Sequence, residues 1–162
     1  MGWTARGCAM FWRASMRNVN GPRLLLDTNI LLDAVSLGRP QSAEAREVLR
    51  RCNGFGELAL VTPTSLNDAF YVLRKQYGLE RARILLNNMM ELVCIVPISA
   101  EECLMSVASD EPDFEDGMIR ACAELNDVDF ILTRDAAAYR RSTVRSMTCA
   151  EYLEVFPLNP LA

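Results

Sequence analysis

Short apolar runs and longer segments with apolar residues every three or four positions alternate along this chain. The short runs are typical of strands buried on both faces, and the longer segments are typical of helices that cover a sheet. From Gly21-Pro22 onwards the alternation shows no repeat, linker or low-complexity tract. The predicted strands are 23–26, 58–61, 93–98, 129–132 and a weaker 143–147, and the predicted helices are 29–36, 42–51, 63–77, 80–92, 99–109, 113–125 and 150–156.

Turn and capping residues support these boundaries. Asn53-Gly54 marks a turn, Gly78 closes a helix, and Ser99 with Glu102 has the spacing of a capping box. Pro97 lacks an N–H group, so the third strand is predicted to lie at a sheet edge. Strands that alternate with helices favour a single α/β domain with a short, mostly parallel sheet and helices on both faces.

Composition narrows the chemistry that this domain can perform. The chain has 162 residues and a net charge of -4, which argues against a basic protein that coats nucleic acid. Histidine is absent, so Ser-His-Asp catalysis, Cys-His catalysis and histidine-ligated zinc are excluded. Catalysis would have to rest on carboxylates, hydroxyls, thiols or arginine.

The cysteines are scattered and form no CxxC pair. Most of them lie within apolar patterns, where a reduced cysteine packs like a small hydrophobic residue. Reduced thiols predict a cytoplasmic protein. The six cysteines are Cys8, Cys52, Cys94, Cys103, Cys122 and Cys149.

The N-terminal segment differs from the rest of the chain. Its apolar stretch, 8–12, is shorter than the apolar core of a signal peptide, and no run in the chain approaches the roughly 18 residues of a membrane helix. We therefore predict no membrane association. Residues 1–22 are expected to be a disordered leader, or the product of a start codon placed upstream of the true one, with Met16 as the candidate. The folded domain is predicted to span 23–162.

Five aspartates are predicted to gather at one edge of the sheet. Asp27 follows the first strand and Asp135 the fourth, while Asp68 lies near the start of the helix after the second strand. Asp113 and Asp116 open the helix before the fourth strand. Sites in open α/β sheets form outside the carboxyl ends of the strands. Clustered carboxylates without histidine or thiolate suit Mg²⁺ or Mn²⁺, which can support hydrolysis of a phosphodiester bond.

Each acid also has a structural interpretation. Asp68, Asp113 and Asp116 lie near helix starts, where an acid commonly caps the helix, and Asp135 could cap a short helix after it. Asp27 fits that interpretation least, because a carboxylate directly after a triple-leucine strand costs free energy unless it is paired or bound.

Four segments resemble, in order, the acidic motifs of PIN-domain ribonucleases. They are Leu24-Leu25-Leu26-Asp27-Thr28-Asn29-Ile30-Leu31-Leu32, Pro63-Thr64-Ser65-Leu66-Asn67-Asp68, Asp113-Phe114-Glu115-Asp116-Gly117-Met118 and Ile131-Leu132-Thr133-Arg134-Asp135. The resemblance runs from about Arg23 to Phe156. A lone Asp-Thr-Asn would be weak, but the ordered set is specific.

The resemblance implies a PIN-like three-layer α/β/α fold and cleavage of RNA that depends on Mg²⁺ or Mn²⁺. Asn29 and Thr133 would be polar helpers that hold a carboxylate or a metal-bound water. The metal ligands would come from Asp27, Asp116 and Asp135, with Asp113 as a further candidate. The catalytic acids implied by position are Asp27, Asp68, Asp116 and Asp135.

Partners also follow from the resemblance. Many bacterial members of the family, the VapC-like proteins, are toxins that a small antitoxin silences, and dimers are expected. The apolar residues of 84–90 could supply a dimer surface, or they could simply pack on the sheet. Among the arginines, Arg134 and Arg120 are the candidates by position for contact with RNA phosphates.

Three departures from the family pattern bear on activity. The second motif usually carries Glu, whereas Asp68 has a shorter side chain that could reach a metal only through water. The third motif usually reads Asp-Ala, whereas Gly117 follows Asp116 and is expected to loosen the helix start by about 0.5–1 kcal/mol. Asp113 beside Asp116 leaves the choice of ligand open.

Rival functions fail on particular residues or remain as alternatives. A haloacid-dehalogenase phosphatase would need a second Asp where Asn29 stands, and a receiver domain would need a Lys after a late strand, whereas Lys75 lies within a predicted helix. The alternative that remains is a catalytically weak PIN-like module that binds RNA or protein. It remains because Asp68 stands where the family usually has Glu.

Overall fold

The computed structural model describes residues 21–36, 38–54 and 56–158. This part of the chain contains five strands that pair in parallel in the order β3-β2-β1-β4-β5. The predicted α/β class is confirmed, and every strand pair is parallel. The strands are β1 (Arg23–Leu26), β2 (Leu58–Val61), β3 (Cys94–Ile95), β4 (Phe130–Leu132) and β5 (Arg145–Met147).

Seven helices of the described residues cover the sheet on both faces. Side chains alternate along β1, so Leu24 and Leu26 enter one apolar core and Leu25 enters the other. The two cores make the three layers of an α/β/α fold. The helices are α1 (Thr28–Val35), α2 (Ser42–Gly54), α3 (Pro63–Tyr77), α4 (Leu79–Met90), α5 (Ala100–Ala108), α6 (Phe114–Leu125) and α7 (Cys149–Val155).

The third strand is shorter than its sequence pattern suggested. Strand β3 has two residues and lies at the edge of the sheet, as Pro97 predicted. The backbone N–H of Val96 still donates to Val61 at 2.9 Å, but Pro97 cannot continue the pairing.

Local capping explains where several helices begin. The Thr62 hydroxyl accepts from the Ser65 N–H at 3.1 Å at the start of α3. The predicted capping box of Ser99 and Glu102 opens α5, and Thr148 forms another at the start of α7. Gly78 joins α3 to α4 with a φ of 81°, a conformation that favours glycine.

Gly21 and Pro22 form backbone hydrogen bonds with residues before and at the start of β2. The Gly21 N–H donates to the Gly56 carbonyl at 3.1 Å, and the Pro22 carbonyl accepts from Leu58 at 2.9 Å. The prediction for the leader otherwise falls on residues 1–20, which lie outside the described residues. Within the described residues, no helix is long and apolar enough to cross a membrane. Five cysteines there are free thiols: Cys52, Cys94, Cys103, Cys122 and Cys149.

Candidate active site

Asp27 lies at the centre of the carboxyl edge of the sheet. It follows β1 directly and occupies the N-cap position of α1. Its backbone N–H donates to the Leu132 carbonyl at 2.9 Å, which ties it to the end of β4. The hydroxyl of Thr133, a fully buried residue, then donates to the Asp27 carboxylate at 2.8 Å. The parallel pairing of β1 and β4 therefore brings these two predicted site residues together.

The Asp27 carboxylate is buried, and the hydrogen bonds that it accepts come from neutral groups. The residue is 8% exposed, and none of the ion pairs among the described residues involves it. Burial raises the pKa of Asp27, and hydrogen bonds from Thr133, Thr28 and Asn29 oppose this shift. A desolvated carboxylate that keeps a raised pKa in spite of several donors gains free energy from a bound cation.

Asp116 is half-buried in the first turn of α6, where Tyr139 holds its carboxylate. The Tyr139 hydroxyl donates to Asp116 at 3.0 Å. Burial raises the pKa of Asp116, and the negative charge of Asp27 raises it further. The pKa of Tyr139 is raised by burial and by the same acids, so its phenol remains a donor. No pattern in the sequence singled out Tyr139, which lies in an irregular segment between β4 and β5.

Glu115 and Asp68 form a second acidic pair beside Asp27. The Thr28 hydroxyl donates to Glu115 at 3.1 Å. Burial raises the pKa of Glu115 to about 7, and the hydrogen bond with Asp68 and the charges of Asp68 and Asp27 also raise it. Two carboxyl groups can share a hydrogen bond only when one is protonated. The sequence analysis did not propose Glu115, although it lies inside the third acidic motif.

The structure gives Asp113 a capping role. Its carboxylate accepts from the backbone N–H groups of Glu115 at 2.8 Å and of Asp116 at 3.3 Å, as the N-cap of α6. This is the structural interpretation of an acid at a helix start. Its negative charge also contributes to the raised pKa of Asp116.

Asp135 is exposed and lies beside Thr133. Its backbone N–H donates to the Thr133 hydroxyl at 3.1 Å, and its carboxylate accepts from the Ala137 N–H at 3.1 Å. Thr133 thus connects the backbone of Asp135 to the carboxylate of Asp27. As positioned, the Asp135 side chain stabilises its own turn.

The remaining predicted polar residues also have defined partners. The Asn29 side chain is exposed, and its hydrogen bond lowers the pKa of Asp27. Arg120 pairs with Glu111 at 2.9 Å and with Glu124 at 3.0 Å. The Arg120 guanidinium therefore forms ion pairs with two nearby glutamates.

Gly117 allows helix α6, which carries Glu115 and Asp116, to pack closely against helix α5. A Cβ atom at this position would lie 2.3 Å from the Ser106 hydroxyl oxygen. That hydroxyl donates to the Phe114 carbonyl at 2.8 Å, so it is fixed in place. A larger residue at 117 would need the Ser106 side chain to move, a packing constraint that the sequence did not reveal.

The carboxylates have the chemistry of a divalent metal site, although their side chains do not converge. In residues 21–36, 38–54 and 56–158, no three acids or cysteines lie close enough to form a complete ligand set. The charge of Asp27 nevertheless raises the pKa values of both Asp116 and Glu115. A hard cation among these oxygen ligands would remove that repulsion. Asp27 and Asp116, with Glu115 beside them, are the residues that could hold it.

Comparisons with solved structures identify relatives of this fold. The chain is similar to a toxin–antitoxin complex from Klebsiella pneumoniae, with 24% identity, a TM-score of 0.58 and coverage of 78% of this chain and 97% of that one. It is also similar to DNA-bound VapBC from Salmonella typhimurium, with 14% identity, a TM-score of 0.61 and coverage of 79% and 98%.

A third similar structure is VapC20 from Mycobacterium tuberculosis, described as a toxin that cleaves the sarcin-ricin loop. It has 14% identity and a TM-score of 0.54, and the match covers 67% of this chain and 86% of that one. A search of curated proteins found no match. The family model for the PIN domain matches residues 23–137, which include Asp27, Asp68, Asp116 and Asp135. Over most of its length, the chain belongs to the PIN domain family.

Proposed function

We propose that this protein is a ribonuclease that hydrolyses RNA phosphodiester bonds with Mg²⁺ or Mn²⁺. The observation that carries the proposal is the buried Asp27 carboxylate, which forms no ion pair within the described residues while its charge acts on Asp116 and Glu115. A site built only for binding would gain nothing from like charges brought together. A bound divalent ion would stabilise charge on a phosphoryl oxygen and make a water more acidic.

The residues of the chain would have separate roles in this reaction. Asp27 and Asp116 would hold the metal, with Asp135, Asp113 and Glu115 as further candidates. Thr133 and Tyr139 would orient the carboxylates, because each donates a hydrogen bond to one of them. Asn29 would help in the same way. Asp68 would act through Glu115, because its charge raises the pKa of Glu115.

The test is cleavage of a total RNA preparation by the purified protein in Mn²⁺ and in EDTA. We expect cleavage in Mn²⁺ alone, and we expect Asp27→Asn to lower its rate at least a hundredfold, because several kcal/mol of charge stabilisation would be lost. Asp127→Asn is the matched control. Asp127 lies at the opposite end of the sheet with a φ of 50°, a conformation that asparagine also adopts.

Two outcomes would overturn the nuclease proposal. One is the absence of cleavage by the wild-type protein in Mn²⁺. The other is cleavage that Asp27→Asn leaves intact, since a contaminating nuclease would then be responsible. If the wild-type protein binds RNA or a protein without cutting, the alternative of a catalytically weak binding module is favoured.

We also propose that the protein is the toxin of a toxin–antitoxin pair in the cytoplasm. The similar structures described as VapBC or toxin–antitoxin complexes support this assignment. A groove of about 390 Å³ between α1, α2 and α4, lined by residues such as Val35, Leu49, Leu85 and Met89, could receive a segment of a small antitoxin. Expression of this protein alone is expected to arrest bacterial growth, and co-expression of an antitoxin encoded beside its gene is expected to relieve the arrest.

A homodimer is part of the same proposal. One side of helix α4 packs inside the protein and another side faces solvent. Met89 is buried, whereas Ile84 is 59% exposed and could contact a second copy. The exposed side of α3 adds Tyr71, which is 68% exposed. Exposed apolar side chains on these two helices are the residues that an interface between copies would cover. Light scattering of wild-type protein and of Ile84→Lys would test it.

A further inference from the structure

A second buried aspartate, Asp33, lies in helix α1 and holds two arginines. Its side chain is fully buried. The Arg39 Nε group donates to one carboxylate oxygen at 2.5 Å, and the Arg134 Nε group donates to the other at 2.6 Å. The Nη2 group of Arg134 makes a further contact with this carboxylate. Arg39 and Arg134, called the arginine pair below, therefore share one acid.

The arginine pair carries two positive charges, and Asp33 carries one negative charge. One guanidinium is enough to neutralise one carboxylate, so the cluster has a net charge of about +1 at neutral pH. The two arginine side chains are 27% and 28% exposed, so both reach solvent while Asp33 does not. The second guanidinium satisfies the other Asp33 oxygen and also keeps a face open to solvent.

The arginine pair is connected to Asp27 through two short routes. Arg39 donates through Nη2 to the side-chain amide oxygen of Asn29 at 3.4 Å, and the Asn29 side chain in turn lowers the pKa of Asp27. Arg134 directly follows Thr133, whose hydroxyl donates to Asp27. The surplus positive charge therefore lies at the rim of the acidic site.

Each arginine retains a donor group that the fold does not use. Across residues 21–36, 38–54 and 56–158, the hydrogen bonds of the pair use the Nε and Nη2 groups, and neither Nη1 group donates. Guanidinium groups bind phosphate through paired N–H donors, and Asp33 holds both of them in fixed orientations. RNA that approached the acidic cluster would be repelled by it unless a cationic group lay nearby.

We propose that Arg39 and Arg134, oriented by Asp33, bind a backbone phosphate of the RNA beside the acidic cluster. The proposal rests on the proposed action on RNA and assigns the phosphate contact to this site. Asp33 is a positioning residue, since it acts through the arginines. Arg120, which is held between Glu111 and Glu124, has no such surplus.

The first test measures RNA binding over a range of salt concentrations. Arg39→Gln, Arg134→Gln and Arg134→Lys are each combined with Asp27→Asn so that the probe, a mixed-sequence single-stranded RNA oligonucleotide, is not cut. Each glutamine variant is expected to weaken binding about tenfold, as loss of one charge-assisted hydrogen bond would. Each should also lower the slope of log K against log salt by about 0.7. Arg134→Lys should keep the slope, because it keeps the charge.

The matched control is Arg83→Gln, which removes an arginine from the exposed Arg83–Glu80 pair on α4. It should leave both affinity and slope unchanged. In the background with Asp27 intact, the glutamine variants at positions 39 and 134 should raise KM about tenfold and change kcat much less. Thermal unfolding of every variant identifies the temperatures at which all of them are folded, and binding is compared at one of these temperatures.

The outcomes separate this proposal from the nuclease proposal. Unchanged affinity and slope in both glutamine variants would overturn the phosphate site, even if the protein cuts RNA. Equal losses in Arg134→Lys and Arg134→Gln would overturn it as well, because the arginine would then only clamp Asp33. RNA binding that responds as expected without any cleavage would overturn the nuclease proposal alone. Absence of both binding and cleavage would overturn both.

Discussion

Helix α1 has a buried aspartate at each end, and the groups that contact the two carboxylates differ in charge. Asp33, near its C-terminus, is fully enclosed and faces two arginines of the same chain. Asp27, at its N-cap, is nearly as buried but receives hydrogen bonds from neutral groups, and its pKa is raised. Within residues 21–36, 38–54 and 56–158, Asp33 thus forms ion pairs with two arginines, whereas Asp27 forms none. A bound divalent cation would supply the counter-charge at Asp27.

Removal of the charge at Asp33 is expected to have the largest effect on stability. Asp33→Asn leaves two guanidinium groups without their acid, which should lower the free energy of unfolding by about 3 kcal/mol. Urea unfolding in EDTA measures it. Asp127→Asn, at a side chain that is 92% exposed, should change stability very little. A loss no larger than that of the control would show that the ion cluster is dispensable.

The same substitution at Asp27 is expected to act in the opposite direction. In EDTA, Asp27→Asn should raise the free energy of unfolding by an amount on the order of 1 kcal/mol, because a neutral amide avoids the cost of burying a charge. Mn²⁺ should stabilise the wild-type protein by mass action and should not stabilise the variant in the same way. Destabilisation in EDTA would contradict the contrast between the two aspartates.

Glu115 allows a test of the acidic site by pH. Its pKa of about 7 in the folded protein lies above the ordinary value of 4.5, so the folded state binds its proton more tightly than the unfolded state does. Stability from this group is therefore complete below pH 4.5 and is lost as the pH rises through about 7.

Glu115→Gln removes this titration. In EDTA its Tm should match the wild-type value at about pH 5 and exceed it by up to about 2 °C at about pH 8. Glu80→Gln, on the exposed Arg83–Glu80 pair, is the control and should show no such trend. A gap that is equal at both pH values would mean that Glu115 is not held among other acids.

The smallest expected effect concerns the side chain that joins the two aspartates. Asn29 contacts Asp27 and accepts from Arg39 at 3.4 Å, which is a long hydrogen bond. In a double-mutant cycle of Asn29→Ala and Arg39→Gln, the coupling in unfolding free energy should be about 0.5 kcal/mol. A coupling of zero would show that the two aspartates are independent in the folded protein.

Much of the fold could be predicted from local pattern. The alternation of apolar runs with amphipathic segments gave the number and order of elements, and Pro97 indicated the edge strand. The shortness of β3 and β5 could not be predicted, because strand length depends on pairing with a neighbour that the pattern does not name.

The candidate site was only partly predictable. Asp27 and Thr133 could be proposed because both end strands in recognisable motifs. Glu115 could not be distinguished from the acids around it, since the orientation of a helix start is decided by its packing. The contact between Asp33 and Arg134 spans 101 positions in the sequence, so no local signal connects them. The exposure of Asp135 depends on an irregular turn whose direction no motif specifies.

The tight contact between Gly117 and Ser106 limits the size of the side chain that position 117 can accept. An alanine at 117 would place its Cβ atom 2.3 Å from the Ser106 oxygen and 3.0 Å from the Ser106 Cβ atom. A side chain at 117 would therefore displace the Ser106 hydroxyl from the Phe114 carbonyl, to which it donates at 2.8 Å. The first turn of α6, which carries Glu115 and Asp116, is thus sensitive to the size of the residue at 117.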